Sequence, residues 1–270
     1  MASSVIGATP AARSGRRRQR MTAILLRVAS LLALLALWEW YGSDPIHFAT
    51  PPPTEVFPAL WEGLTEGGLI GSTLGTLVTV SAGMVISIVF GLLLGFAVAI
   101  FPWARTTLDP LLDAAYAMPV TMLIPIIGVY TGLDFRGRVF IVVSYVLLVI
   151  VITTSTGVRE VPRDLLETGH AFCLKGRRMW KAVIFPSALP YIASGISTGV
   201  ARGIRGAVTA ELLLIAADLG AYILDAQARL LTDQLLAGIL WTLLLGYALY
   251  AGALKLENRV LRWRTIGESS

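Results

Sequence analysis

Residues 159–181 read REVPRDLLETGHAFCLKGRRMWK, a charged segment between two long uncharged runs. The runs, residues 139–158 and 182–201, contain no Asp, Glu, Lys or Arg. A bilayer core of ~30 Å is crossed by ~20 apolar residues in a helix, so both runs predict membrane spans. The segment between them carries six basic and three acidic residues and therefore lies in water. Apolar residues recur in a pattern within this charged segment, which predicts a helical element that docks a soluble partner.

The composition indicates a polytopic membrane protein with a single domain. Of its 270 residues, 56% are hydrophobic and only 14% are charged, with a mean hydropathy of +0.73. Soluble domains carry ~25% charged residues. The net charge of +5 does not imply that the protein binds nucleic acid, because most basic residues lie in the segments that the predicted topology places on the cytoplasmic side. One cysteine, Cys173, excludes an internal disulfide and a multi-cysteine metal site.

Six apolar runs predict an all-α fold with six transmembrane helices. The predicted spans are residues 22–41, 72–101, 110–133, 139–158, 182–205 and 235–256. They make up one transmembrane domain over residues 21–265, between a disordered basic tail (1–20) and a short C-terminal tail (266–270). Residues 207–233 hold four acidic residues among apolar ones, which predicts a re-entrant or surface-lying helical hairpin with Gly220 at its turn.

The distribution of Lys and Arg predicts that both termini lie in the cytoplasm. With six spans and a cytoplasmic N-terminus, 16 of the 22 Lys and Arg residues fall on the cytoplasmic side. This asymmetry follows the positive-inside rule. Five or seven spans would place the basic C-terminal region outside and remove the asymmetry.

Glu167 and Pro186 stand at the spacing of a known loop signature: Glu-Ala-Ala, three residues, Gly, nine residues, then Ile-x-Leu-Pro. The other signature positions are filled here, in the same order, by Thr168, Gly169, Cys173, Val183 and Phe185. The chain thus resembles the permease subunits of binding-protein-dependent ABC importers, most closely those of the nitrate, sulfonate and taurine type. Weaker sequence similarities to the same family occur over roughly residues 45–265, in the same order along the chain as in the family.

The resemblance implies a type I ABC importer permease in the inner membrane of a bacterium. Such a subunit moves a small anionic or polar solute inward, is not an enzyme, and has no cofactor of its own. ATP and Mg²⁺ are expected on a separate ATPase dimer, because this sequence lacks a Gly-x-x-x-x-Gly-Lys-Ser/Thr motif. The other implied partners are a second permease subunit, identical or different, an extracytoplasmic substrate-binding protein and the lipid bilayer.

The resemblance also implies that residues 159–181 form a coupling loop that docks on the ATPase. Pro162 suits the first turn of a helix, where Asp164 and Glu167 complement its dipole. Without the family likeness, a solvated surface helix explains the same pattern. The predicted coupling residues are Asp164, Leu165, Leu166, Glu167, Thr168, Gly169, Phe172, Cys173, Gly176 and Pro186.

Cys173 departs from the family pattern, because the signature has glycine there. A cysteine in a left-handed conformation costs ~1 kcal/mol or more. The sequence therefore predicts either that this turn is not left-handed or that Gly176 takes over the left-handed position. We also predict Cys173 to be a buried small hydrophobe rather than a reactive thiol.

Five residues are predicted to line the transport pathway. Pro119 and Pro125 either kink the third span at the pathway or make a tolerated bend. Arg202 and Arg205, placed near the outer end of the fifth span, either attract an anionic solute or form a structural ion pair with Glu211. Both interpretations remain open. Glycines at residues 91, 95, 195, 199, 203 and 206 predict close helix packing.

Two other functions are compatible with the sequence. A degenerate permease would assemble with an intact one without coupling to the ATPase. A membrane-embedded enzyme would use Asp109 and Asp113, four residues apart on one helical face, to hold a metal ion. No histidine or further acidic residue joins this pair in the sequence, so we predict no metal site.

Overall fold

The computed structural model describes residues 10–44, 46 and 49–262, and every regular element in these residues is helical. His47, residues 1–9 of the predicted tail and residues 263–270, with the predicted C-terminal tail, lie outside the described residues. A 3₁₀ turn, Val120–Leu123, precedes α5, and a π-helical turn, Trp180–Ile184, precedes α9. The helices are α1 (Pro10–Gly42), α2 (Pro53–Thr65), α3 (Leu69–Ile100), α4 (Pro102–Ala117), α5 (Ile124–Thr131), α6 (Phe135–Arg159), α7 (Arg163–Ala171), α8 (Arg177–Met179), α9 (Phe185–Leu213), α10 (Asp218–Ala228) and α11 (Thr232–Val260).

The long helices α3, α6 and α9 form the core, because small residues let them approach closely. A Cβ on Gly91 of α3 would lie 2.8 Å from the Cβ of Ile150 in α6. A Cβ on Gly199 of α9 would lie 3.0 Å from Val146 Cγ1 on α6. Ile150 and Val146 are both fully buried. Such close approach favours helix association in a membrane, and the predicted packing role of these glycines is confirmed.

Gly95, Gly195 and Gly206 behave in the same way, and a Cβ on Gly195 would overlap Thr153 of α6. A Cβ on Gly95 would lie 2.7 Å from the Cβ of Thr154, and one on Gly206 would lie 3.0 Å from Tyr145 Cδ2. Gly203 is less constrained, since its nearest neighbour would be 3.4 Å away. The glycine pattern read from the sequence therefore marks the surfaces along which the core helices meet.

α3 and α6 run parallel to each other and α9 runs antiparallel to both, so the bundle has two ends, each fixed by an ion pair. The α7 end contains the last turns of α3 and α6 and the start of α9, and there Arg159 binds Asp109. The α10 end contains the first turns of α3 and α6 and the last turn of α9, and there Arg138 binds Asp218. The predicted topology places the α7 end in the cytoplasm.

The predicted third span is not one helix. α4 and the 3₁₀ turn with α5 meet at a bend of 90°. Met118 and Pro119 have extended backbone, with ψ of 133° and 108°. Met118 is extended because a residue that precedes proline avoids the helical region. Pro125 lies in the first turn of α5, where proline is tolerated, and it causes no bend. Of the two predicted kinks, only that at Pro119 is present.

Five described helices are long and apolar enough to cross a membrane, and the bent pair of α4 and α5 is a sixth if it counts as one span. The fifth of the predicted spans is longer than expected, because α9 continues to Leu213. The first begins earlier than expected, because α1 starts at Pro10, so the prediction of a disordered tail is wrong for residues 10–20. Alanine, arginine and glutamine, which dominate residues 11–20, favour helices.

Gly220 is not at a turn, and this prediction is wrong. The chain turns at residues 214–217, and Gly220 lies in the first turn of α10. A Cβ on Gly220 would lie 2.5 Å from the Cβ of Glu211. Glycine is therefore required there because α10 folds back directly onto α9. Leu219 and Ile223 bury the apolar side of α10.

Candidate functional site

α7 presents apolar and acidic side chains at the α7 end of the bundle. The helix begins after Pro162, and Asp164 lies in its first turn. Leu165 is 46% exposed and Phe172, just beyond the helix, is 77% exposed. Glu167 is exposed as well, whereas Leu166 is half-buried. Large apolar side chains in water next to charged ones are typical of a surface that binds another protein.

Gly169 fixes the position of α7 against the chain that follows it. This glycine is buried, and a Cβ there would lie 2.8 Å from Met179 Sδ in α8. Thr168, on the exposed side, donates its hydroxyl to the Asp164 carbonyl at 2.7 Å. Pro186 is half-buried in the first turn of α9. α7 thus packs against α8 and the π-helical turn Trp180–Ile184, which leads into α9 where Pro186 lies.

Cys173 ends α7 in a left-handed conformation, with φ 56°. Its N–H donates to the His170 carbonyl at 2.8 Å, and the Leu174 N–H donates to the Gly169 carbonyl at 2.9 Å. These two bonds form a Schellman cap, in which glycine is the usual left-handed residue. Gly176 also has a positive φ of 52°. Both predicted alternatives for Cys173 are therefore wrong, since the cysteine itself takes the left-handed conformation.

The thiol of Cys173 is exposed, so the prediction of a buried small hydrophobe is wrong as well. The left-handed backbone that ends α7 directs this residue away from the helix packing. The strain of a side chain in this conformation is ~1–2 kcal/mol, and the two cap hydrogen bonds offset it.

Arg159 joins α6 to α4 where α7 begins. Its Nη1 and Nη2 donate to the two carboxylate oxygens of Asp109 at 2.7 and 2.9 Å, and Nη2 also donates to the Val98 carbonyl at 3.2 Å. Bidentate pairs of this kind are geometrically specific. Because both oxygens of Asp109 bind a guanidinium, the arrangement disfavours a metal ion held by Asp109 and Asp113.

A second polar network ties four helices together at the α10 end. Arg138 of α6 binds the Asp218 carboxylate, and its Nη1 lies 3.9 Å from Glu211 Oε1. Glu211 is fully buried, and its Oε2 accepts hydrogen bonds from Thr76 Oγ1 at 3.0 Å and from the Gly220 N–H at 3.2 Å. The predicted pairing of Glu211 with Arg202 or Arg205 is therefore wrong, because Arg138 occupies that position.

The sequence interpretation missed Arg138 and Arg159 as functional candidates. A signal was present, since these two arginines directly precede and follow the uncharged run of residues 139–158. Their carboxylate partners lie 50 to 80 residues away in the chain, so no local motif identifies the pairs.

Arg202 and Pro119, two of the predicted pathway residues, line the same cavity. The cavity has a volume of about 220 Å³ and lies between the α4–α5 bend, α6 and α9. The guanidinium of Arg202 stacks on the ring of Tyr116, with its Cζ 4.6 Å from the ring centroid, and donates to the Tyr116 hydroxyl. Arg202 is within α9, not near its end, because α9 continues for ~16 Å beyond it at 1.5 Å per residue.

The other predicted pathway residues lie elsewhere. Arg205 lines a separate groove of about 590 Å³ between α9 and α11. Glu211 is buried in the α10-end network, and Pro125 is in the first turn of α5. The structure thus brings together only Pro119 and Arg202 from the predicted pathway set.

The sequence of the chain matches a known family of membrane proteins. Residues 87–262 match the model of the binding-protein-dependent transport system inner membrane component family. The chain belongs to this family. It is 30% identical over 240 residues to the riboflavin transport system permease protein RibX of Chloroflexus aurantiacus, covering 87% of this chain and 88% of RibX. It is 24% identical to the taurine transport system permease protein TauC of Escherichia coli, covering 89% and 90%.

The permease fold is also found in a solved structure. An inward-facing structure of the MetNI methionine ABC transporter matches 73% of this chain and 99% of its own chain, with a TM-score of 0.62 and 15% sequence identity. That likeness concerns the fold. Family membership makes the chain the membrane permease of a binding-protein-dependent ABC importer, and it implies a substrate-binding protein and an ATPase as partners.

Proposed function

We propose that this permease moves a small anionic or polar solute into the cell and that a separate ATPase dimer, docked on α7, drives the movement. The observation that carries the proposal is the exposure of Leu165 and Phe172 on a short helix at the end of the bundle. Among the relatives, one is named for taurine, a sulfonate, and another for riboflavin. These names favour small polar solutes without choosing one.

The α7 surface has the composition of a docking site. Aromatic and aliphatic side chains that fill a partner's pocket dominate binding energy, and polar residues around them fix orientation. Phe172 and Leu165 supply the apolar contacts, and Glu167 supplies a carboxylate for a basic or amide group on the ATPase. In the proposed topology this surface lies in the cytoplasm, where ATP is available.

The connections of α7 favour transmission of force. Gly169 packs on Met179 at the start of the α8–α9 segment, and Arg159 joins the end of α6 to Asp109 on α4. When two ATPase subunits close, two α7 helices would move together, and the attached helices would rock as rigid bodies. The pathway would then open toward the outside, where a binding protein delivers the solute.

One chain has too few helices to enclose a pathway, so we propose that two permease subunits assemble. α1 supports this, because its most apolar window between Met21 and Gly42 has no residue buried in the described chain. Two identical subunits and two different ones are equally compatible with these contacts. A degenerate role in a mixed pair is disfavoured, since the C-terminus of the coupling helix keeps its cap despite the cysteine.

Phe172→Ala, made in the full complex with its ATPase, tests this proposal. Loss of a central aromatic contact costs 2 kcal/mol or more, so we expect ATPase binding to weaken by ~30-fold and stimulated ATP hydrolysis to fall with it. Glu167→Arg reverses the anchor charge and should act in the same direction. Phe57→Ala is the matched control, because Phe57 is 49% exposed on α2, at the opposite end of the bundle.

The proposal fails if Phe172→Ala and Glu167→Arg bind the ATPase as tightly as Phe57→Ala does. It also fails if a cysteine label with a membrane-impermeant reagent reaches Cys173 from outside the cell. The thiol is exposed, so the labelling experiment needs no additional mutation.

A further inference from the structure

We propose that the cavity around Arg202 binds the anionic group of the transported solute. The ligand class is a small oxyanion, such as a sulfonate, a carboxylate or nitrate. This inference rests on the proposed function, because it names the solute class for the same pathway. It goes beyond that function by assigning the recognition to one side chain.

The first support is the break in the helix that forms one wall of the cavity. Met118 and Pro119 have extended backbone, and the helices on either side of them meet at 90°. At membrane depth, backbone that leaves the helix is tolerated only where protein covers it or a water-filled cavity adjoins it. Both residues line the cavity of about 220 Å³. The break therefore favours a hydrated space, as a solute pathway requires.

The second support is the charge of Arg202. Arg105, Arg138, Arg159 and Arg229 each have a carboxylate within 4.0 Å, whereas among the side chains that the structure describes no carboxylate lies that close to Arg202. A cation within a membrane span is costly unless it faces water or a counter-ion. Since no described carboxylate neutralises Arg202, a mobile anion is the counter-ion that the cavity can admit.

The third support is the way Tyr116 holds the guanidinium. The guanidinium Cζ lies over the ring, 4.6 Å from the centroid, and the Tyr116 hydroxyl accepts a hydrogen bond from Nη2. A guanidinium has five N–H donors, so most of them remain for another acceptor. The two contacts with Tyr116 hold the guanidinium in place, and its planar fork of donors matches the two oxygens of an oxyanion.

The size and lining of the cavity restrict the ligand further. Pockets for drug-sized molecules measure ~300–1,000 Å³, so a cavity of about 220 Å³ suits a smaller solute. Thr121 and Ser144 contribute hydroxyls to the lining, and Met118 and Leu148 contribute apolar surface. A short apolar chain with a terminal oxyanion fits this combination.

Thermal unfolding of the purified permease–ATPase complex in lipid-free detergent tests the inference. The probes are sodium nitrate, sodium acetate and taurine, titrated against mannitol as an uncharged solute and sodium chloride as a control for ionic strength. A ligand that binds only the folded state raises the melting temperature with its concentration. We expect at least one probe to stabilise the wild type more than the control does.

Arg202→Gln should abolish this stabilisation, and Arg202→Lys should raise the half-maximal probe concentration at least tenfold, because a charged hydrogen bond of the fork is lost. Tyr116→Phe keeps the ring and should have a smaller effect. Arg205→Gln is the matched control, since Arg205 lies on the same helix but lines another groove. Its response should equal that of the wild type.

Three outcomes would overturn the inference. In the first, no probe raises the melting temperature of the wild type. In the second, the probes stabilise Arg202→Gln as much as they stabilise the wild type. In the third, only added phosphatidylglycerol stabilises the protein, which would make the cavity a lipid site. Binding of the ATPase is measured on the same samples. If the wild type and Arg202→Gln both bind the ATPase but no probe stabilises the wild type, only the proposed anion site is refuted. If the wild type does not bind the ATPase, the proposed function is refuted.

Discussion

Arg138→Gln removes the cation that Glu211 and Asp218 share at the α10 end of the bundle. Glu211 is fully buried, and the side chain of Asp218 is only 23% exposed. Neither carboxylate can therefore be hydrated well once the guanidinium is gone. Removing one partner of a buried ion pair costs ~3–5 kcal/mol, and we expect a value near the upper limit because one cation serves two anions.

Glu211→Gln should cost much less than Arg138→Gln. The amide oxygen of glutamine keeps the hydrogen bonds from Thr76 Oγ1 and from the Gly220 N–H. The oxygen that loses its charge, Oε1, has no hydrogen-bond partner among the described residues. The double variant Arg138→Gln/Glu211→Gln should thus recover ~0.5–3 kcal/mol relative to the sum of the single variants.

Melting of the purified protein, followed by intrinsic fluorescence, measures these effects. For a chain of this size, 1 kcal/mol shifts the melting temperature by ~2–4 °C, so a cost of ~5 kcal/mol for Arg138→Gln should lower it by roughly 10–20 °C. Arg136→Gln is the control, because Arg136 is exposed two residues away on the same helix. The reasoning is refuted if Arg138→Gln has the same melting temperature as the control, or if the double variant loses as much stability as the two single variants lose together.

Three further predictions concern the helix contacts. Cys173→Gly should raise the free energy of unfolding by ~1 kcal/mol, because glycine adopts the left-handed cap without strain, and the melting temperature checks this. Gly91→Ala should destabilise the protein by ~1–3 kcal/mol through overpacking against α6, whereas Gly71→Ala on the same helix, with nothing within 4 Å, should be neutral in the same assay. Asp109→Asn should reduce solute uptake in reconstituted vesicles without loss of ATPase binding, and Asp113→Asn should not; equal loss in both would favour a metal pair instead.

The uncharged runs predicted the membrane helices well, because the bilayer excludes charge over a fixed length. The same rule gave no information on where an apolar run bends. The 90° bend at Met118 and Pro119 depends on the backbone preference of one dipeptide. Pro125, only six residues later, is harmless because it falls in a first turn. Proline alone therefore predicts that a break is possible, while its position relative to the helix start decides the outcome.

The polar contacts were beyond sequence reasoning for a different reason. Thr76 and Glu211 are 135 residues apart, and Arg138 and Asp218 are 80 apart, so only the helix packing brings them together. Arg202 was wrongly placed near a helix end, because α9 continues past a charge that stacking on Tyr116 stabilises. A charge was therefore a poor marker of the end of this span.

α6 connects the two polar ends of the bundle and is packed along its length between them. Arg138 and Arg159 lie ~32 Å apart along this helix at 1.5 Å per residue, and each binds a carboxylate on another helix. Between them, glycines of α3 and α9 hold α6 at close contact, so it should move as a rigid rod. A displacement of α7, which follows α6 directly, would then act on both ion pairs.

The docking of the ATPase on α7 and the transmission of movement through α6 can thus be separated by mutation. Phe172→Ala should weaken ATPase binding, whereas Asp109→Asn should leave binding intact and disconnect it from transport.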